Sequence, residues 1–596
     1  MRLELIDWLV VGAYLLFALL IGLAYARRAG HDREGYFLSG RKAPWWLLGT
    51  SMVATTFSTD TPNLVTDMVR TAGVSQNWLW WAFAVTGMLT VFVYAKLWRR
   101  SATLTDIGFY ELRYSGREAA FLRGFRALYL GFFFNVMIMA TVTLAAIKIG
   151  GVLLGFSKLQ SVLVASVITA AYSATSGLWG VIVTDLLLFV IAMIGSIAAA
   201  YFSLAHPAVG GLHGLLANPA VHGKLHLLPD FSDHTAVIAV LIVPLAVQWW
   251  STWYPGAEPG GGGYVAQRML AARNEKESIL STLWFNIAHY GLRPWPWIIV
   301  ALCSLIVYPD LAAIARAFPH LSPSIIRNDL AYPAMLVFMP PGILGLIVAS
   351  LAAAYMSTIS THLNWGASYL VDDFYRRFLA PDRAERHYVN AGRVATILLT
   401  VATATVALWL QNAMQAFQIL LQIGAGTGLI FLLRWFWWRI NAWSEISAMI
   451  ISFLIAIYFQ FGHTALGFAP LSATAMLVSG VAITTVGWIG VTLLTAPTER
   501  TTLLNFYERI RPWGRGWRRV VGADAVTAQE AGIPSAMLCW VLGLVMIYAA
   551  LFAVGYLIYG SYIVSALCFA LMLASGIGIM RLFPRVHFSS DQVGVS

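Results

Sequence analysis

The chain has 596 residues, 59% of them hydrophobic and 11% charged, with a mean hydropathy of +0.72. Ordinary soluble domains carry about 25% charged residues, so this composition excludes a soluble enzyme or binding module and specifies a polytopic membrane protein. The net charge of +11 is not a nucleic-acid footprint, because no soluble basic domain carries it; in such proteins Lys and Arg collect in cytoplasmic loops.

In lipid, backbone polar groups must be satisfied internally, so spans are helices or closed barrels. The apolar runs are long and continuous, of the length a helix needs to cross, which predicts an all-α protein. The first span, 5–25, follows Arg2, Glu4 and Asp7 without a small-residue cleavage site and reads as a retained helix. The second, 44–70, is interrupted by a polar, β-branched run from Ala54 through Ser58, Asp60, Thr61 and Pro62 to Asn63, poorly suited to continuous helix. Spans at 77–98, 125–154, 160–178 and 180–204 follow. The last of these carries Asp185, and a charge within an apolar span is expensive and functional by default.

The seventh span, 236–256, ends in Gln248, Trp249, Trp250, Trp253, Tyr254, Pro255, Glu258 and Pro259, then Gly260 to Gly263; regular helix cannot persist through such a run. The eighth, 278–308, sets Asn286, His289 and Arg293 on one helical face, as substrate contacts or as structural pairs. The ninth, 340–370, carries Ala354, Ser357 and Thr358 at i, i+3 and i+4, one face with two hydroxyls. Oxygen ligands suit a small hard cation, so this face reads either as half of a sodium site or as a helix-packing face, where Ser and Thr are enriched in membranes. It ends in Asp372 to Arg377, a charged exit into water. Spans at 389–410, 412–437 (with Gln422), 443–461, 472–495, 536–558 and 562–583 bring the count to about fifteen. Gly424 to Gly428 signal close helix packing rather than a dinucleotide loop, since no strand precedes them. Cys303, Cys539 and Cys568 read as buried free thiols.

Basic clusters follow spans one, three, seven, nine, eleven, thirteen and fifteen, from Arg27 and Arg28 to Arg581 and Arg585. That parity predicts an outside N-terminus and a cytoplasmic C-terminus, with the Lys- and Arg-poor loops 207–235 and 309–339 outside. The two broken spans lie five apart, so equivalent halves have opposite orientation. Broken helices at matching places of two inverted halves point to a midplane binding site of a secondary transporter. Trp78, Trp80 and Trp81 are assigned mainly to an interfacial aromatic belt. Trp249, Trp253 and Tyr254, in the second break, are expected to wall the cavity.

Tyr36 to Lys42, Gly177-Leu178-Trp179-Gly180 leading to Thr184-Asp185, Gln267-Arg268 and the Ser357-Thr358 helix together resemble the sodium:solute symporter family. The resemblance implies a LeuT-type five-plus-five inverted repeat. A peripheral first helix and loop would occupy 1–43, the repeats 44–206 and 236–437, and peripheral helices 438–596. It implies a sodium site of carbonyls at Ala54, Phe57 and Ala354 with hydroxyls of Ser357 and Thr358, a mostly neutral oxygen set suited to a monovalent cation. Ser58 and Asp185 fall on a second sodium site or the sodium path. The chain departs from the family at Leu188, where glutamine is frequent, and in its Gly256 to Gly263 insert.

The expectation is a non-enzymatic transporter of the plasma (inner) membrane. It couples inward sodium movement to uptake of a small organic solute, first a sugar or polyol, with sodium and no cofactor. Candidate substrate contacts are Asp60, Thr61, Gln248, Trp249, Trp253, Tyr254, Glu258, Asn286, His289, Arg293 and Gln422. The rivals are an amino-acid or carboxylate symporter, for which Arg293 would be the fixed cation, a proton-coupled carrier using Asp60 or Asp185, and a sensor or channel on the same scaffold.

Overall fold

The computed structural model describes residues 3–26, 38–103, 105–173, 178–250, 258–523 and 532–586. These are all-helical, 80% helix with no strand. In chain order the principal helices are α1 (Leu5–Ala26), α2 (Trp45–Thr56), α3 (Asp60–Ala72), α4 (Val74–Ser101), α5 (Gly116–Leu154), α6 (Lys158–Ser173) and α7 (Leu178–Leu204). Then come α8 (His234–Ala246), α9 (Gly263–Ala271), α10 (Glu275–Val307), α11 (Ile343–Leu379), α12 (Glu385–Trp409), α13 (Ala413–Ile423) and α14 (Gly428–Leu433). The last four are α15 (Ala442–Ala465), α16 (Ala473–Leu494), α17 (Ile533–Ile558) and α18 (Tyr562–Leu582).

Among the described residues ten helices are long and apolar enough to cross a membrane, and four shorter apolar ones accompany them. Segment 44–72 is two helices, not one. Phe57 (φ −80, ψ 82) leaves the helical region at the end of α2, and α3 restarts at Asp60. Pro62 then sits in the first turn of α3, where its missing N–H leaves no helical bond unmade.

The core holds α2 against α7, α10 and α11, and α5 against α11 and α12. α17 and α18 pair with one another and reach the core through α4 and α10. Asp7 of α1 is fully buried and caps α11: its Oδ1 accepts from the amides of Gly342 and Gly345, each at 2.7 Å. A carboxylate there satisfies two of the unpaired N–H groups of a helix start and complements its dipole.

Three sequence expectations are corrected. Trp78, Trp80 and Trp81 are not an interfacial belt. All are buried, Trp78 donates to the Leu227 carbonyl and Trp80 to Asn77, at 2.9 and 2.8 Å. The run from Asp372 is an exit only in part: Asp372 and Arg377 are exposed, but the helix continues as a π-turn to Leu379, and buried Asp373 pairs with Arg123 at 2.5 Å. Cys568 is half-buried, unlike Cys303 and Cys539.

Candidate functional site

The end of α2, the ninth-span hydroxyls and Asp185 converge. Ser357 donates to Asp185 Oδ1 at 2.7 Å and Ser51 of α2 to Asp185 Oδ2 at 2.6 Å. Arg268 stands 3.9 Å from the same carboxylate and donates to Ser51 Oγ at 3.3 Å. Thr358 donates to the Thr55 carbonyl at 3.3 Å, one residue from Ala54 and two from Phe57. Ala54, Phe57, Ala354, Ser357, Thr358 and Asp185 are all buried. A hydroxyl has one proton and two lone pairs, so Ser357 and Thr358, with their protons committed to Asp185 and Thr55, still have lone pairs with which to accept. Among the described residues no group of three or more His, Cys, Asp or Glu could hold a metal ion.

Beside this junction lies a cavity of about 80 Å³, lined by Ser58, Asp60 and Thr61 from the first break and by Asn286, His289 and Arg293 from α10. Glu258 and Gly261 from the second break, with Trp80, Phe83 and Thr86 from α4, complete much of its wall.

Local chemistry explains how each wall is presented. In α10 the π-turn Ile287–Leu292 runs into Pro294, which lacks an N–H to donate back. Such turns absorb a lost bond and recur at functional sites; this one displays Asn286 and His289. Arg293 donates to the Val53 carbonyl and Thr56 Oγ1 at 3.5 and 3.4 Å and lies over the rings of Phe57 and Trp297. Gly260 and Gly261 adopt φ of +82 and +87, a region that disfavours side chains. A Cβ on Gly260 would press the Tyr94 ring at 3.2 Å, and its carbonyl accepts from Trp98 at 2.8 Å. The glycine run thus lets backbone pass beneath two aromatic side chains.

Glu258 is paired with Arg126 of α5 at 2.9 Å, both about 2% exposed. Arg126 is a residue that sequence reasoning missed, together with Trp80 and Tyr290, whose rings stack 5.8 Å apart at the cavity wall.

Other expected contacts do not gather here. Gln422 donates to the Met476 carbonyl at 3.3 Å, which turns it toward α16 and away from the cavity. Gln248 donates to the Leu79 carbonyl, and Trp249 packs half-buried against the core, so neither lines the cavity. Trp253 and Tyr254 lie outside the described residues.

Residues 36–452 match the sodium:solute symporter family. The chain belongs to that family. The sodium/glucose cotransporter of Vibrio parahaemolyticus is 25% identical over 513 residues, covering 81% of this symporter and 90% of that protein. The human sodium/myo-inositol cotransporter 2 is 25% identical over 486 residues, covering 75% and 69%. The bovine sodium/mannose cotransporter is 24% identical over 471 residues, covering 74% and 76%. A Na+-coupled sialic acid symporter, solved substrate-bound and outward-open, superposes with a TM-score of 0.65 at 20% identity, covering 83% of this symporter and 99% of that chain. That likeness is one of fold. The family is one of multi-pass membrane transporters rather than enzymes, with sodium as coupling ion.

Proposed function

We propose that this symporter couples inward sodium movement to uptake of a neutral sugar or polyol through the cavity between the two helix breaks. Sodium is held by the Ala54, Phe57 and Ala354 carbonyls and the Ser357 and Thr358 hydroxyls, with Asp185 as the negative charge behind Ser357. The observation that carries the reading is the hydrogen bond from Thr358 to Thr55, which brings the hydroxyl face against the carbonyl end of α2 beside the cavity. The relatives matched transport glucose, myo-inositol and mannose by their names, in line with aromatic walls and neutral polar groups. Sodium favours the solute-competent conformation, so each ligand tightens the other.

The chain is arranged as inverted repeats over 44–206 and 236–437, about fifteen spans in all, with the N-terminus outside and the C-terminus cytoplasmic. Two groups of contacts support this. Arg273 donates to the Lys42 carbonyl, Arg41 to Ala102, and Arg100 pairs with Glu275; all lie in segments that charge parity assigns to the cytoplasm. Asp7, at the start of α1, caps the start of α11, as two odd-numbered spans beginning on one face require.

The test is thermal stability of purified protein across a panel of hexoses and polyols, with and without sodium. A sodium-dependent shift for a neutral sugar or polyol is expected, and Ser357→Ala with Thr358→Ala abolishes it in a protein that still elutes as a single species. Unchanged sodium affinity in that double variant would sink the site assignment. Solute-driven stabilisation confined to amino acids or carboxylates would replace the sugar reading with its rival.

A further inference from the structure

The charged groups of the cavity are not equivalent. Glu258 is neutralised by Arg126 at 2.9 Å. Arg293 sits against the end of α2, donating to Val53 and Thr56 and stacked over two aromatic rings at 5.5 and 5.1 Å. Asp60 differs: its Oδ1 is buried at the cavity wall and has no hydrogen-bond partner. The Ser58 hydroxyl and the amides of Asp60 and Thr61 lie beside the carboxyl group, and Arg293 is the opposite charge it faces.

An ionised carboxylate is acceptor-only, and leaving one of its oxygens buried without a donor is unfavourable. The neighbouring orphaned atoms include the acceptor Asn286 Oδ1, the hydroxyls of Ser58 and Thr86, and His289 Nδ1. The polar side of the cavity therefore pairs acceptors with groups that both donate and accept, which a solute bearing several hydroxyls can match, while Trp80 and Tyr290 offer ring faces.

Resting on the sugar or polyol reading above, we infer that Asp60 sets the specificity of this site: its Oδ1 accepts from the hydroxyls of a neutral polyhydroxylated solute and excludes the corresponding sugar acids. Adjacent O–H groups satisfy the carboxylate through charge-assisted bonds, which are shorter and stronger than neutral ones. A solute carboxylate brought to the same place meets a like charge and finds no proton to accept. Arg293 is already the counter-charge of Asp60 and also donates to the carbonyl end of α2, so it is shared among these partners rather than reserved for a second anion.

The test is binding in saturating sodium of matched pairs: glucose with glucuronate, mannose with mannuronate, galactose with galacturonate, and myo-inositol as the cyclic polyol. Wild type is expected to bind at least one neutral member at least about tenfold more tightly than its acid. Asp60→Asn, of nearly the same shape, weakens the neutral solute at least about tenfold and narrows the neutral-to-acid ratio by a similar factor. Asp60→Glu, which restores the carboxylate, regains the discrimination against the acid. An Asp60→Asn variant with unaltered affinity and ratio overturns the inference while leaving the sugar reading standing. So does a wild type that binds the acid as tightly as its parent sugar, a result that needs no variant to fold. A wild type that binds no neutral sugar or polyol overturns the sugar reading and this inference with it.

Discussion

Ser357 and Asp185 form one unit, joined at 2.7 Å in a buried site with Ser51 on the other carboxylate oxygen. Asp185→Asn keeps the shape but removes the charge. The sodium concentration for half-maximal uptake is therefore expected to rise at least about tenfold, or 1.4 kcal/mol, while the solute affinity at saturating sodium changes little; sodium titration of uptake in proteoliposomes reads both. Arg126→Ala leaves Glu258 buried without its partner, a change that typically costs about 3–5 kcal/mol, and the expected outcome is a large loss of thermal stability partly recovered by adding Glu258→Gln. Ser357, Thr358 and Asp185 were legible in the sequence because hydroxyls and a carboxylate are out of place in an apolar run. Arg126 was not: nothing local to it at the start of the 125–154 span points to Glu258, which only the folded chain brings to it from 132 residues away. Trp80 failed for a related reason, since a tryptophan wedged in a cavity wall and one at a lipid surface have the same local sequence.

At the level of helices, proline and polar β-branched runs announced the first break and proline with glycine the second. The π-turns were not read from the sequence; even at Pro294 the missing N–H marks a lost bond without saying that a wider turn absorbs it. The Gly424 to Gly428 run shows both outcomes together. It does pack closely, since a Cβ on Gly426 would lie 2.6 Å from Thr484 Cβ of α16, but it also breaks the helix between α13 and α14, with Gly426 at φ +80. Gly426→Ala combines backbone strain with overpacking, and a loss of about 1–3 kcal/mol is expected as a lowered midpoint of thermal unfolding. Gln422, on the same helix, looked like a cavity residue because helical spacing gives a face but not which neighbour that face meets.

Across the whole molecule, Lys148 of α5 is tied to Asp329, whose other oxygen accepts from the Ala413 amide at the start of α13. Arg70 of α3 reaches the Ser304 and Tyr308 carbonyls at 2.8 Å in the same region. The loop assignment is open to direct measurement. In a variant with Cys303, Cys539 and Cys568 replaced, a cysteine at the exposed Ser232 should react with an impermeant maleimide from outside intact cells, and one at the exposed Arg515 only after permeabilisation. The reverse pattern would invert the topology. Loop charge gives an orientation that this labelling tests, whereas the span count stays approximate because several helices are short or broken.

The cavity between the two breaks has an energetic consequence for the cell. In the cycle proposed above its solute is neutral, and the fixed charges of Arg126 and Glu258 return with the protein, so each sodium ion is the net charge moved. One charge crossing a membrane potential of 100 mV releases about 2.3 kcal/mol, and a tenfold sodium gradient adds about 1.4 kcal/mol. With one sodium per cycle these together sustain roughly a five-hundredfold accumulation of solute. Uptake should then appear as an inward current that halts when the potential is clamped against it, so that the voltage across the membrane, more than the salt outside, decides how full the cell becomes.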